Sequence, residues 1–210
     1  MKQAELKALL LAECREQLVP LGFKKRSGEI FTRELADDFF GWLGLVFRTR
    51  LRPGAIGIAP TVGVHHPEIE RLAREFSALE TAAKGPTATL ARPLGYVMPE
   101  PDFRTWICYP DGFAAQLDDM VRAISRYGVP YMERHASLEE IVVAMPTGSL
   151  PPLEQAKRIA LVRGLQGDRA AAYDALAPLR RAITDLTGAR EDAMAFIERF
   201  SRHFNMHFAR

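Results

Sequence analysis

Hydrophobic residues recur at helical spacing in three parts of the chain. Near the start, apolar residues fall at four-residue steps on an otherwise charged segment, which predicts a helix over residues 3–19. This stripe consists of Leu6, Leu10, Cys14 and Leu18. Similar spacing predicts helices over residues 67–83 and 111–127, where Pro67 suits a first helical position.

Between these helices the pattern changes to short extended segments separated by turn residues. They span residues 23–26, 29–35, 40–51, 55–64, 87–92 and 103–109. Because the connections are short, the first four segments predict an antiparallel meander. Pro53-Gly54 is typical of a type II turn, since proline fixes the first dihedral and glycine accepts a positive φ at the second.

Alternation along the third and fourth segments assigns residues to faces of the sheet. We expect Leu43, Leu45, Phe47 and Leu51 to face the core, and Trp42, Gly44, Val46, Arg48 and Arg50 to face the other way. In the fourth segment, Gly57, Ala59, Thr61, Gly63 and His65 form an unusually bare face that leaves room for a partner or ligand. Pro60 predicts an edge strand or a bulge there, because proline lacks a backbone N–H.

Beyond Pro130 no convincing strand pattern appears. Ser137 and Glu140 form a capping-box signature that predicts a short helix to about Met145. Residues 146–152 are a linker candidate, and from Leu153 onward the chain is Ala-rich and helical. We therefore predict an α+β fold, in which an antiparallel sheet of five or six strands and its helices form a core domain over residues 1–145, followed by a helical region over 146–210.

Composition narrows the class of protein further. The 210 residues carry a net charge of only +2, so nucleic acid binding is not indicated. No apolar run approaches the length of a membrane span, and the N-terminal segment lacks the features of a secretory signal. The two cysteines are too few for a disulfide framework. We expect a soluble, cytoplasmic protein whose oligomeric state is open.

Two pairs of histidines are candidate metal or acid-base sites. On a strand, His65 and His66 point to opposite faces, and Pro67 with Glu68 indicates the start of a helix, so a structural joint is the favoured interpretation. His203 and His207 have the four-residue spacing of a ligand pair, but a third ligand is missing nearby. Neither pair leads us to predict a metal.

Nucleophilic and nucleotide-binding chemistry has little support. Cys108 precedes a predicted helix, where a thiolate could be stabilised, but a buried inert thiol is the favoured interpretation. The glycine-rich loops of nucleotide-binding proteins and the nucleophile elbow of hydrolases are absent from the sequence. We therefore predict no cofactor and no catalytic residue, and we lean against an enzyme.

Arginines provide the more informative pattern. Arg48, Arg50 and Arg52 alternate along the third segment, with Arg33 and Lys24-Lys25-Arg26 on neighbouring strands. These residues form either a solvated face that discourages aggregation or a basic binding surface. Our leading hypothesis is a non-catalytic protein-binding or regulatory module that uses Arg33, Trp42, Arg48, Arg50 and His65. The alternative is a small-anion-binding protein or enzyme in which Arg48, Arg50 and His65 converge on a pocket.

Several short motifs in the first third of the chain resemble a bacterial family known as domain of unknown function 4304. The motifs are Leu18-x-x-Leu21-Gly22-Phe23-Lys24-Lys25, Phe31-x-Arg33 and a strand ending in Val62-Gly63-Val64. The resemblance implies a small bacterial α+β domain without assigned catalytic residues. It does not cover the glutamine-lysine-serine segment usual in that family.

Overall fold

The computed structural model describes residues 2–78, 85–184 and 189–206. Its strands are β1 Lys24–Ser27, β2 Ile30–Ala36, β3 Phe39–Arg48, β4 Ile56–His65, β5 Leu90–Pro93 and β6 Trp106–Cys108. Its helices are α1 Gln3–Leu18, α2 Pro67–Phe76, α3 Ala114–Ala123, α4 Val129–Arg134, α5 Leu138–Ala144, α6 Pro152–Leu165, α7 Arg169–Ala175, α8 Ala177–Thr184 and α9 Arg190–His203. The predicted α+β class is confirmed.

All strand pairings in the sheet are antiparallel. The strands lie in the order β1-β2-β3-β4-β5, and β6 pairs with the other end of β4 beside β5. Arg52, Pro53, Gly54 and Ala55 form the turn before β4, with Ala55 N–H bonded to the Arg52 carbonyl. Gly54 has a φ of 72°, as the predicted turn requires.

Pro60 lies within a central strand, contrary to the expected edge or bulge. It is opposite Leu45 in an unbroken register between β3 and β4. On the other side of β4, residues 61–64 pair with β5 and residues 56–58 pair with β6. Pro60 therefore lies at the gap between two partner strands, where the lack of an N–H removes no registered pairing.

Several predicted element boundaries need correction. β3 ends at Arg48, so Arg50 and Leu51 belong to the following turn; Leu51 is 45% exposed and does not face the core. Helix α2 ends at Phe76, with Ser77 in an extended conformation, and residues 79–83 of the predicted helix lie outside the described residues. Past Ala123 the third helix continues as a π-helix over Ile124–Gly128 into α4.

Helices cover one face of the sheet, and the C-terminal helices pack on α2. Helices α1 and α4 contact the sheet strands, while α6 and α9 contact α2. One apolar cluster extends from Leu6 on α1 to Phe200 on α9. This core therefore includes residues on both sides of the predicted boundary at residue 145. Ser137 caps α5 as predicted, since its hydroxyl accepts from the Glu140 N–H.

Candidate functional site

Strand register places Trp42, Arg48 and His65 on the same face of the sheet. Trp42 is opposite Gly63, Arg48 is opposite Gly57 and His65 is opposite Phe40. Directly paired residues of antiparallel strands point to the same side. We call this side, opposite the helix-covered one, the Trp42 face.

Arg33 lies on the opposite, helix-covered face. It pairs with Gly41 in the register between β2 and β3, and its guanidinium lies 3.3 Å from the Glu133 carboxylate of α4. A Cβ added at Gly41 would lie 2.8 Å from the Arg33 Cγ, so this glycine makes room for the arginine side chain. Arg33 therefore links the sheet to α4 and is not brought together with the other predicted site residues.

His65 and His66 form the predicted joint between strand β4 and helix α2. His66 is the N-cap residue: its Nδ1 accepts from the Ile69 N–H at 3.4 Å, and Pro67 begins the helix. His65 Nδ1 lies 2.6 Å from the Thr87 carbonyl oxygen, which requires the proton on Nδ1. Burial lowers the pKa of both histidines below the ordinary value.

Trp42 contacts its own chain rather than standing free for a ligand. Its Nε1–H donates to the Pro86 carbonyl at 2.8 Å, and its ring lies over Gly44, where an added Cβ would come within 2.5 Å of the indole. Neighbouring backbone and side-chain atoms also occupy part of the space over the bare face of β4. A Cβ at Gly63 would lie 1.9 Å from the Leu90 carbonyl oxygen, and one at Gly57 would lie 2.6 Å from Leu51.

Arg48 and His65 share a face but lie at opposite ends of it. Arg48 is opposite Gly57, and His65 lies eight positions further along β4. At about 3.3 Å per residue this separates them by about 26 Å. A single pocket that holds both side chains is therefore not formed, and Arg50, placed beyond the end of β3, does not join His65 either.

At the Arg48 end of the Trp42 face, exposed cations and exposed apolar side chains lie together. We define the arginine patch as Val46, Arg48, Arg50, Leu51, Arg52 and Phe103. The Arg48 guanidinium lies 4.5 Å from the centroid of the Phe103 ring, within the range of a cation–π contact. Within the described part of the chain, the three arginines form no ion pair.

A cavity of about 430 Å³ adjoins the arginine patch. Phe103 forms part of its wall, together with Met98, Pro99 and Tyr127 and the charged residues Glu100, Asp102 and Arg104. Val46 is 49% exposed, Leu51 45% and Phe103 39%. Arginine and aromatic residues are enriched at protein interfaces, where an apolar centre is surrounded by polar groups. This end of the sheet therefore combines exposed arginines with exposed apolar and aromatic side chains.

A second, smaller cavity of about 340 Å³ lies beside His65. Its lining includes Arg71, Arg74 and Glu70, besides Pro67 and the Gly85-Pro86 segment. Arg71 is already paired with Glu68 and Glu75, and Glu70 is paired with Arg158. Among the described residues, Arg74 has no ion pair and is the lining cation available to an anion.

The structure also contains a buried ionic network that sequence reasoning did not identify. Arg158 on α6 donates to both carboxylate oxygens of Glu70 on α2, at 2.9 Å each, and Thr87 donates to the same carboxylate. Arg158 further bonds Glu154, which also accepts from Lys157. Lys157 in turn bonds Asp192 on α9. Glu70, Glu154, Lys157, Arg158 and Asp192 are called the ionic network below.

Charge pairing dominates the titration of this network. Burial alone would raise the pKa of Glu154 and of Asp192. The hydrogen bonds and opposite charges around each carboxylate, with Lys157 common to both, together outweigh burial and hold both pKa values below the ordinary range. Burial would likewise lower the pKa of Arg158, but the carboxylates of Glu70 and Glu154 together outweigh it and raise that pKa. Glu154, Arg158 and Asp192 are therefore charged at neutral pH. Because Glu70 and Arg158 are 88 positions apart, no local spacing reveals the contact.

The remaining candidates for chemistry lie in the core or outside the described residues. Cys108 and Cys14 are free and buried, and burial raises their pKa values to about 11 and about 12. Such thiols are poor nucleophiles. His203 ends α9, and His207 lies outside the described residues. Across residues 2–78, 85–184 and 189–206, no three His, Cys, Asp or Glu side chains are grouped to hold a metal ion.

No model of a known protein family matches the chain, and neither a curated protein nor a solved structure shows detectable similarity to it. Within the described residues, no helix has the length and apolar character needed to cross a membrane.

Proposed function

We propose that this chain is a non-catalytic protein-binding module of the bacterial cytoplasm, whose docking surface is the arginine patch. The observation that carries the proposal is the combination of three unpaired arginines with exposed Val46, Leu51 and Phe103. The partner surface it fits is acidic with an apolar centre. The two free, buried thiols support a reducing compartment. The bacterial origin rests on the resemblance to domain of unknown function 4304, which stays a prediction.

The composition of the patch supports a regulatory role. Its six residues, as defined above, offer exposed contact area and include no histidine, cysteine, serine or carboxylate that could act as a reacting group. An arginine patch of this kind increases association rates and selects acidic partners. Binding would therefore act by occupying or presenting the partner, not by changing it chemically.

Site-specific photo-crosslinking tests this function. We expect benzoylphenylalanine placed at Val46 to capture a partner protein in cells, while the same residue at Val143, which is 64% exposed on α5, does not. Charge reversal by Arg48→Glu with Arg50→Glu should abolish the crosslink at residue 46, because it repels an acidic partner. Arg134→Glu, at an exposed position on α4, is the matched control and should retain it. Equal capture at residues 46 and 143, or capture insensitive to charge reversal, would contradict the proposal.

The cavity beside His65 supports a second candidate, the binding of a small anion. Its lining holds Arg74 and His65, and a bound phosphate or carboxylate suits the arginine fork. This candidate has weaker support because His65 is neutral at pH 7, which leaves Arg74 as the lining cation without an ion pair among the described residues. It predicts that phosphate binds with measurable heat and that Arg74→Ala or His65→Ala abolishes that heat while folding is retained.

A further inference from the structure

Strand β1 forms an edge of the sheet, and a helix runs beside it. Within the described part of the chain, β1 pairs with β2 on one side, with a register shift between Lys25 and Ser27, and no strand is registered on the other side of Lys24, Lys25 and Arg26. The strand is short, with the four residues Lys24–Ser27, and three of them are basic. Short, basic edge strands resist indiscriminate pairing with other strands. Helix α1 packs beside β1 on the helix-covered side. The outer edge of β1 therefore borders a trough between a strand and a helix.

Two adjoining cavities follow this trough. One of about 400 Å³ is lined by Ala8, Leu11 and Ala12 of α1, and the other of about 340 Å³ extends past Phe23. Arg15, Val19 and Lys25 line both. Because Ala8 and Ala12 have small side chains, helix α1 fills little of the trough, and an extended chain has space beside the edge strand. We call these two cavities the α1–β1 groove.

The groove combines an exposed apolar side chain with unpaired positive charge. Val19 is 57% exposed. Arg15 and Lys25 are exposed and form no ion pair with any described residue, while Lys24 is paired with Glu34 across to β2. Glu16 is the lining carboxylate, on the α1 side of the first cavity. An occupant with acidic side chains beside Arg15 and Lys25 and an apolar one over Val19 would complement this lining.

We propose that the α1–β1 groove binds an extended, acidic segment of a partner protein, which adds to the sheet as a strand next to β1. Main-chain hydrogen bonds to the edge supply affinity in this mode, and side-chain contacts along the groove supply selectivity. The basic residues that discourage pairing with a neutral strand favour pairing with an acidic one. This surface is separate from the arginine patch, so the inference stands or falls independently of the proposed function.

The test uses the full chain and a phage-displayed library of random linear peptides. We expect enrichment of acidic, proline-free peptides. A peptide synthesised from the enriched sequences should bind in fluorescence anisotropy. It should also protect from hydrogen exchange those amides of Lys24, Lys25 and Arg26 that point away from β2. Arg15→Glu with Lys25→Glu should weaken binding at least about tenfold, and so should N-methylation of alternate peptide amides, which blocks strand pairing. Arg48→Glu with Arg50→Glu, in the arginine patch, is the matched control and should leave peptide affinity unchanged.

Three results would overturn the inference. One is the absence of enrichment over panning on the Arg15→Glu, Lys25→Glu variant. Another is binding that tolerates peptide N-methylation, since this would indicate charge attraction without strand addition. The third is a concentration-dependent dimer in sedimentation that Arg15→Glu with Lys25→Glu dissolves, since a second copy of the chain would then be the occupant. Each result leaves the crosslinking test at Val46 unaffected, so the two proposals fail separately.

Discussion

Glu70 is a charged side chain almost completely removed from water, with 3% of the side chain exposed. Its two oxygens accept from Arg158 and Thr87, so its negative charge is fully compensated. Buried ion pairs are weak evidence of stability, because desolvation offsets much of the attraction, but breaking one leaves a charge without its partner. Glu70 is therefore important for stability mainly because its removal would leave the buried charge of Arg158 without this partner.

We predict that Glu70→Ala lowers the free energy of unfolding by about 3 kcal/mol, because it strips Arg158 of its bidentate partner in the interior. Glu75→Ala is the matched control on the same helix. That carboxylate is 55% exposed and pairs with exposed Arg71, so the change should be within experimental error. Urea denaturation of both variants measures the difference. Equal losses would show that the ionic network contributes no more than a surface pair.

The N-cap residue of helix α2, His66, is also a titratable group. His66 caps the helix with its neutral imidazole and lies edge-on to Phe39, with ring centroids 4.9 Å apart. Asp38, His65 and Glu68 are the charged or titratable groups that act on it. Because burial holds the folded pKa of His66 below the ordinary histidine value of 6.5, the unfolded chain binds more protons in this range. Stability is then fully present above pH 6.5 and decreases as the pH falls.

We predict that His66→Asn reduces the loss of stability between pH 6.5 and 5 while changing the value at pH 7.5 little. Asparagine is also a good N-cap but does not titrate. His65, whose pKa is lowered as well, continues to titrate, so a smaller positive slope remains. Urea unfolding at each pH gives the slope. A variant with the same slope as the unmodified chain would show that His66 is not protonated on unfolding.

Elements with strong local signals were predictable from sequence, and those set by distant contacts were not. The four-residue stripe of α1, Pro67 at the start of α2 and Ser137 before α5 all act within one helical turn. The end of β3 at Arg48 escaped prediction, because alternation continues through the turn although the pairing with β4 ends at Gly57. The cavity beside His65 depends on the Gly85-Pro86 segment, which no local pattern places there.

At the level of the whole molecule, the ionic network joins parts of the chain that look separate in sequence. Glu70 belongs to the predicted α+β domain, and Arg158 and Asp192 to the predicted helical region. Sequence patterns could assign a class to each part but could not reveal that charges from both meet in the interior. The arginine patch lies at the end of β4 opposite the strand–helix joint of His65 and His66. Its arginines form no ion pair with any described residue. Paired charges are therefore buried near one end of β4, and exposed arginines without an ion pair among the described residues lie at the other end.

Native mass spectrometry of the protein gently purified from its own cells tests the docking surface most directly. We predict that the unmodified chain and the Arg134→Glu variant carry a second polypeptide, and that Arg48→Glu with Arg50→Glu yields the bare chain with its fold intact by circular dichroism. A small-molecule adduct that persists in the Arg48, Arg50 variant and disappears in Arg74→Ala would contradict the docking surface and favour the anion cavity. A bare chain in every case would also contradict it.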